Sequence, residues 1–455
     1  MKRSVKTIGA LVASSTLALA ATACAPGGST TDNPAASSSA SPVSKDVSAA
    51  GDVTLTVWDQ NTDTGINDAQ EALNTQFQQK YPNVKIQRVS RSFSDLKTTL
   101  KLALTSKNPP DVVQANQGYP DMGSFVSGGL LRPEDDYAKL YGWDTYFPAQ
   151  QLNLNKFSTD GKDWQGGNLY GVSQTGEIVG VYYNRKILKN LNLQVPKTIT
   201  EFEAMLPTIK ASGMLPIAYG DVEKSPGIHI YGITQAAIAG KQAVTDLVTG
   251  KSGAWTDEPS VKAAQTIQDW ATKGYITEGA NGISRDDALA EFGKGKSAFV
   301  ITGTWEQPKV IKSLGADSGF VALGPDGSDT PVTTGGVGLA WAITTGSKHP
   351  DVAAAYIDFI TNANAAQVLI DNGNLPAVPP TDWAPKAGTL QADVAAEWKR
   401  VNAGSGGLVP YLDYATPTFY DTLSAAVQQL TAKKLTPQQF TEQLQKDYSA
   451  FLKTK

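Results

Sequence analysis

Cysteine is nearly missing from this chain: among 455 residues the only one is Cys24. Beyond that position there is no disulfide framework and no thiolate metal site. Histidine is almost as scarce, with His229 and His349 far apart, so zinc hydrolases and histidine-based triads lack their parts. Neither charge dominates, since 39 Lys and Arg face 43 Asp and Glu, and no basic run forms a stripe. Nucleic acid is therefore not an expected partner. Catalytic signatures are missing too, with no G-x-S-x-G elbow and no H-E-x-x-H. Gly295-Lys296-Ser297 lacks the glycine five places earlier that a phosphate loop needs, because Ala290 stands there, and the stretch reads as a helix-to-strand turn. No metal or cofactor is expected. Two carboxylates working as a glycoside-hydrolysing pair stay open, because any two of the acids could meet in space.

What is present begins with a leader. "MKRSVK" is basic, and residues 7–23 are uncharged and rich in small apolar side chains, the layout of a secretory signal over 1–23. A membrane span is the rival reading, but the run is short and thinned by Ser and Thr. Ala21, Thr22 and Ala23 precede Cys24, whose thiol could be acylated. From 24 to 50 large apolar side chains are almost absent, so a lipidated flexible tether is expected there.

About 400 residues remain, enough for two lobes with separate cores. The pattern alternates. "VTLTVW" (53–58), "VKIQRV" (84–89) and "DVVQA" (111–115) read as strands separated by helices, one of which aligns Ile66, Ala69, Leu73 and Phe77. Later strands are expected at 178–184, 297–303, 320–324 and 338–344, and capping boxes at Thr200/Glu203 and Thr436/Gln439 open further helices. This grammar predicts an α/β fold with sheets covered by helices. In such sheets ligands sit in loops beyond the strand ends. Those loops read Asp59-Gln60-Asn61, Asn116-Gln117-Gly118-Tyr119, Thr304-Trp305-Glu306 and Thr333-Thr334-Gly335-Gly336. Amides, carboxylates, aromatics and glycines without a strong cation suit a neutral ligand with many hydroxyls.

Five stretches in order then carry a resemblance: "LTVW…LNTQFQQKYPNVKIQRV", "PPDVVQANQGYPDMGSFVSGGLLRPEDDY", "NLYGVSQTGEIVGVYYNRKIL", "ALAEFGKGKSAFVITGTWE" and "TTGGVGLAWAITTGSKHPDVAAAYIDFI". From 53 to 455 the chain resembles the maltose-binding-protein-like solute-binding proteins of carbohydrate ABC importers, a periplasmic-binding-protein-like fold. Cys24 and the residues before it resemble a lipoprotein signal, with Ala21 where leucine is usual. The resemblance implies two lobes, 51–174 with 333–375 and 177–332 with 376–455, joined by strands that cross two or three times and hinge shut on the ligand. It implies a non-enzymatic monomer, lipid-anchored on the outer face of the cytoplasmic membrane, that hands an oligosaccharide to permease subunits.

For the site, the resemblance points to Trp305 as the ring that stacks on sugar. It points also to Asp59, Gln60 and Asn61 after the first strand, Asn116 and Gln117 after the third, and Gln174 and Glu177 at the crossing. Gly335 and Gly336 would let backbone approach the sugar, and Asp221, Asp413 and Tyr420 would contribute from the second lobe, with Tyr411, Tyr414 and Phe419 as alternatives. His229 reads as structural. A secreted glycoside hydrolase and a binder of a non-sugar solute are the competing functions.

Overall fold

A computed structural model describes residues 43–455; the signal segment, Cys24 and the tether up to residue 42 lie outside the described residues. The expected tether ends earlier than residue 50. Val47 is buried against the first lobe, and the Asn83 carboxamide donates to the carbonyls of Val47 and Gly51 at 3.1 and 2.7 Å.

In chain order the strands are β1 (Val53–Asp59), β2 (Val84–Ser90), β3 (Val112–Ala115), β4 (Lys156–Phe157), β5 (Asn168–Leu169), β6 (Val172–Ser173) and β7 (Gly176–Asn184). They continue with β8 (Leu215–Ala218), β9 (Ser297–Gly303), β10 (Ser318–Val321), β11 (Thr333–Val337), β12 (Ala340–Ile343) and β13 (Leu408–Val409). The first sheet runs β2-β1-β3-β12-β6 and the second β13-β11-β7-β9-β8, with β10 also on β7. β1 pairs parallel with both neighbours, as strands joined by helices must. The helix Ile66–Lys80 lays Ala69, Leu73 and Phe77 into the first core, and the periodicity read from the sequence accounts for it.

Two local readings move. The helix expected to be capped at Thr200 starts at Ile199, with Thr198 as the cap accepting from the Glu201 amide at 3.2 Å. Thr198 and Glu201 have the same spacing, and Thr200 instead bonds Asp326. The box at Thr436 and Gln439 forms as read. The strand expected at 338–344 forms as β12, but residues 333–337, read as the loop leading into it, are a separate strand, β11, in the other sheet. Residues 333–337 therefore pair in the second sheet and not the first, because β11 lies between β7 and β13.

The chain thus passes between the sheets at β6–β7, at β11–β12 and again near 374–377. The three passes lie side by side. The Gly176 amide donates to Leu375 O at 2.9 Å, Gly338 to Thr175 O at 2.9 Å, and Ala377 to Gln174 O at 3.0 Å. Short extended segments bonded to each other make a natural hinge.

Gly335 and Gly336 serve this packing rather than ligand approach, and neither reaches the cleft. Gly335 has φ +154°, and a Cβ there would collide with the Glu177 carbonyl on β7; a Cβ on Gly336 would come within 2.9 Å of Leu154. Gly335→Ala should therefore destabilise the protein by about 2 kcal/mol or more, visible as a lowered melting temperature.

Candidate functional site

Between the lobes lies a cavity of about 160 Å³ whose floor is the hinge itself: Thr175, Gly176, Glu177, Leu339, Asn374 and Leu375 line it. A cavity of that size with polar groups on its wall holds on the order of ten waters, which a ligand would displace.

The first lobe contributes the loop after β1. Gln60 and Asn61 face the cavity, and Gln114 of β3 stitches the loop in place by accepting from the Gln60 amide at 2.8 Å and donating to Asn61 Oδ1 at 3.4 Å. Asp59 does not reach the cavity. Its fully buried carboxylate is gripped by Arg88 at 2.6 and 3.0 Å, accepts from Ser90 Oγ at 2.8 Å and from the Asn61 amide at 2.9 Å. A charge at a strand end inside the fold needs a cation, and the fork of Arg88 supplies it. After β3, Asn116 lines the cavity, whereas Gln117 turns away and donates to Gly338 O at 2.7 Å. Gln174 is likewise spent on structure, donating to Ile360 O at 2.8 Å. Both amides brace the crossings.

In the second lobe Trp305 follows β9 in a short turn and lines the cavity. Its indole folds back over the strand end, so Gly303 must lack a side chain. His229 packs beside it with ring centroids 5.0 Å apart, and burial, then Arg285, push the imidazole down to about 3, so it is neutral. Read as structural, His229 in fact borders the cavity. Asp221 does not. It lies beneath the start of the helix Ser225–Ala239, accepting from the Gly227 amide at 2.7 Å, while its carbonyl takes a bond from Gln428 at 2.6 Å.

Asp413 and Tyr420 line the cavity as expected. Burial raises the Asp413 carboxyl to about 6, with Lys97 opposing it. Tyr420 spans toward the first lobe, its ring 6.2 Å from Phe93 and 4.4 Å from Lys97 Nζ. Tyr414 Oη stands 3.0 Å from both Asn116 Oδ1 and Gln117 Oε1, bridging the lobes. Tyr411 Oη donates to Glu177 Oε2 at 3.1 Å, and burial lifts the Glu177 carboxyl to about 7. Gln114 was overlooked although a lone amide inside an apolar strand is a legible signal. Phe93, Asp63 and Arg285 also border the cavity and have no local signature. Among the described residues no group of three His, Cys, Asp or Glu side chains could hold a metal ion.

A profile of the family described as bacterial extracellular solute-binding protein matches residues 62–367, which include strands of both sheets and the first two crossings. The chain belongs to that family. A multiple sugar-binding protein of Streptococcus mutans is 24% identical to this solute-binding protein over 315 residues, 66% of this chain and 69% of that one. An uncharacterized ABC transporter extracellular-binding protein of Pyrococcus horikoshii is 23% identical over 355 residues, 73% of this chain and 72% of its own. Among solved structures, a chitin oligosaccharide binding protein superposes with TM-score 0.77 at 21% identity, covering 88% of this chain and 99% of that one. The raffinose complex of another solute-binding protein gives 0.68 at 19%, over 88% and 100%. These structures share the two-lobed fold.

The raised carboxyls leave a measurable mark. Glu177 binds its proton more tightly folded than unfolded, so its contribution to stability is complete below the ordinary glutamate value, about 4.3, and lost as pH rises through about 7. Melting temperature should fall between about pH 5 and 8, and Glu177→Gln should make that fall shallower. An identical slope in the variant would remove the buried proton from the site.

Proposed function

We propose that this solute-binding protein captures a neutral sugar, an oligosaccharide, between its lobes and delivers it to the permease of an ABC importer while tethered to the membrane through a lipid on Cys24. The observation that carries this reading is the composition of the cavity wall. One open indole face, Trp305, stands among amides, hydroxyls and carboxylates drawn from both lobes and from the hinge. One side of a pyranose is a sheet of C–H groups that covers an aromatic ring, while its rim of hydroxyls needs acceptors and donors all around. Glu177, Asp413, Asn61 and Asn116 supply those groups, and a sugar lacking the matching hydroxyls would leave them buried and unpaired.

The relatives support the same reading. Their printed descriptions name multiple sugars, chitin oligosaccharide and raffinose, and a structure described as a probable secreted solute-binding lipoprotein from Streptomyces coelicolor has TM-score 0.66 over 87% of this chain. Lipid anchoring through Cys24 and transfer to a permease rest on the sequence and on these relatives. A hydrolase reading draws on Glu177 and Asp413 sharing one cavity with raised pKa values.

A thermal-shift screen of the secreted portion against mono- and oligosaccharides tests the proposal, since a ligand that binds only the folded state must raise the melting temperature. One class of linkage should raise it by several degrees, with the sugar recovered intact. Cleavage products would favour the hydrolase, and no shift with any sugar would overturn sugar binding. For the sugar that binds, Trp305→Ala should weaken affinity at least about tenfold, roughly 1.4 kcal/mol, by calorimetry.

A further inference from the structure

One wall of the cavity is ionic and is built from both lobes. Asp63 comes from the loop after β1; Arg285 begins the helix Arg285–Gly293 and Lys309 lies in the helix Gln307–Leu314, both in the second lobe. Asp63 Oδ1 lies 2.7 Å from Lys309 Nζ and Asp63 Oδ2 lies 3.4 Å from Arg285 Nη2. Behind them Glu306 is fully buried, with Arg285 Nε at 3.0 Å and Lys309 Nζ at 3.4 Å, and Asp286 reaches Lys309 at 3.0 Å. Neither carboxylate oxygen of Glu306 has an aligned hydrogen bond, so the two cations alone compensate its charge.

Asp63 and Arg285 line the cavity, while Glu306, Lys309 and Asp286 do not. The cavity therefore ends at the cluster, with Asp63 and Arg285 on its wall and Glu306, Lys309 and Asp286 behind them. Backbone packing seals the same place. A Cβ on Gly65 would lie 2.7 Å from Pro308, so the loop after β1 rests directly on the start of the helix Gln307–Leu314.

Resting on the sugar reading, we propose that Asp63, Arg285 and Lys309 form an ionic stop that assembles as the lobes close and ends the sugar chain on that side of the cleft. The two halves of the stop belong to different lobes, so opening must separate Asp63 from its cations and closing must bring them together. Arg285 and Lys309 stay in place when Asp63 moves away because Glu306 binds them both, which keeps the positive half assembled in the open form. A sugar unit pushed past the cavity would have to displace the loop and break the pairs.

The ligand carries no charge, so salt can act on affinity only through ion pairs formed on closure. Asp63, Arg285 and Lys309 side chains are 28%, 30% and 24% exposed, within reach of screening ions.

The test is calorimetry with oligosaccharides of increasing length, in the linkage that stabilises the protein. For the wild type, affinity should rise with length until the cavity is filled and then drop at least about tenfold for the next unit, as built-in clashes do. It should also weaken about threefold or more between about 20 and 500 mM NaCl. Asp63→Asn keeps both cations on Glu306 while breaking the pairs between lobes. It should reduce the length penalty to about threefold or less and remove the salt dependence. If that variant does not fold, the salt dependence of the wild type alone decides, and affinity insensitive to salt overturns the stop. Equal length penalties in wild type and variant also overturn it. Failure of every sugar to bind overturns the sugar reading, and the stop with it.

Discussion

Everything at the cleft depends on three extended segments that bond mainly to one another. Residues 174–177, 337–339 and 374–377 connect two sheets that otherwise have their own strands and helices, and the amides of Gly176, Gly338 and Ala377 donate within the trio. This placement lets few groups do two tasks. The hinge is also the floor of the cavity, so Thr175, Glu177 and Asn374 lie at the place where motion and ligand meet. A ligand that contacts both lobes and the floor has more partners in the closed form than in the open one, and that difference in affinity is the only thing that can drive closure.

The remaining chemistry follows from burying polar groups at such a place. Glu177 and Asp413 keep their protons more tightly than exposed carboxyls because burial disfavours the anion, and each retains hydrogen-bonding capacity toward the cavity. His229 goes the other way and stays neutral beside Trp305. The strong charges gather on one wall, in the cluster around Glu306, where each has an opposite partner. A neutral, hydroxyl-rich ligand suits such an arrangement.

How much of this the sequence disclosed depends on the kind of signal. Strands such as Val53–Asp59 and Ser297–Gly303 were legible because β-branched runs between polar loops have few other readings. The split of 333–343 between two sheets was not, because Gly338 and Leu339 interrupt an apolar run without a turn motif. Trp305, Gln60, Asn61, Asn116, Glu177, Asp413 and Tyr420 border the cavity as loop position and resemblance suggested. Asp59, Gln117, Gln174 and Asp221 have the same polar chemistry but bond Arg88, Gly338, Ile360 and Gly227. A polar side chain beside a strand end either meets ligand or braces the loop that does, and only its partner, distant in sequence, tells which. Arg285 and Asp63 were invisible for the same reason, being 222 positions apart.

The measurement that tests the account most directly is the distance between lobes with and without the sugar that stabilises the protein. Residues 43–455 contain no cysteine, so Lys107→Cys in the first lobe and Lys273→Cys in the second allow specific labelling for single-molecule energy transfer. The account predicts that the free protein samples more than one distance and that saturating sugar gathers it into a single narrow state. A distance distribution that the bound sugar leaves unchanged would contradict it.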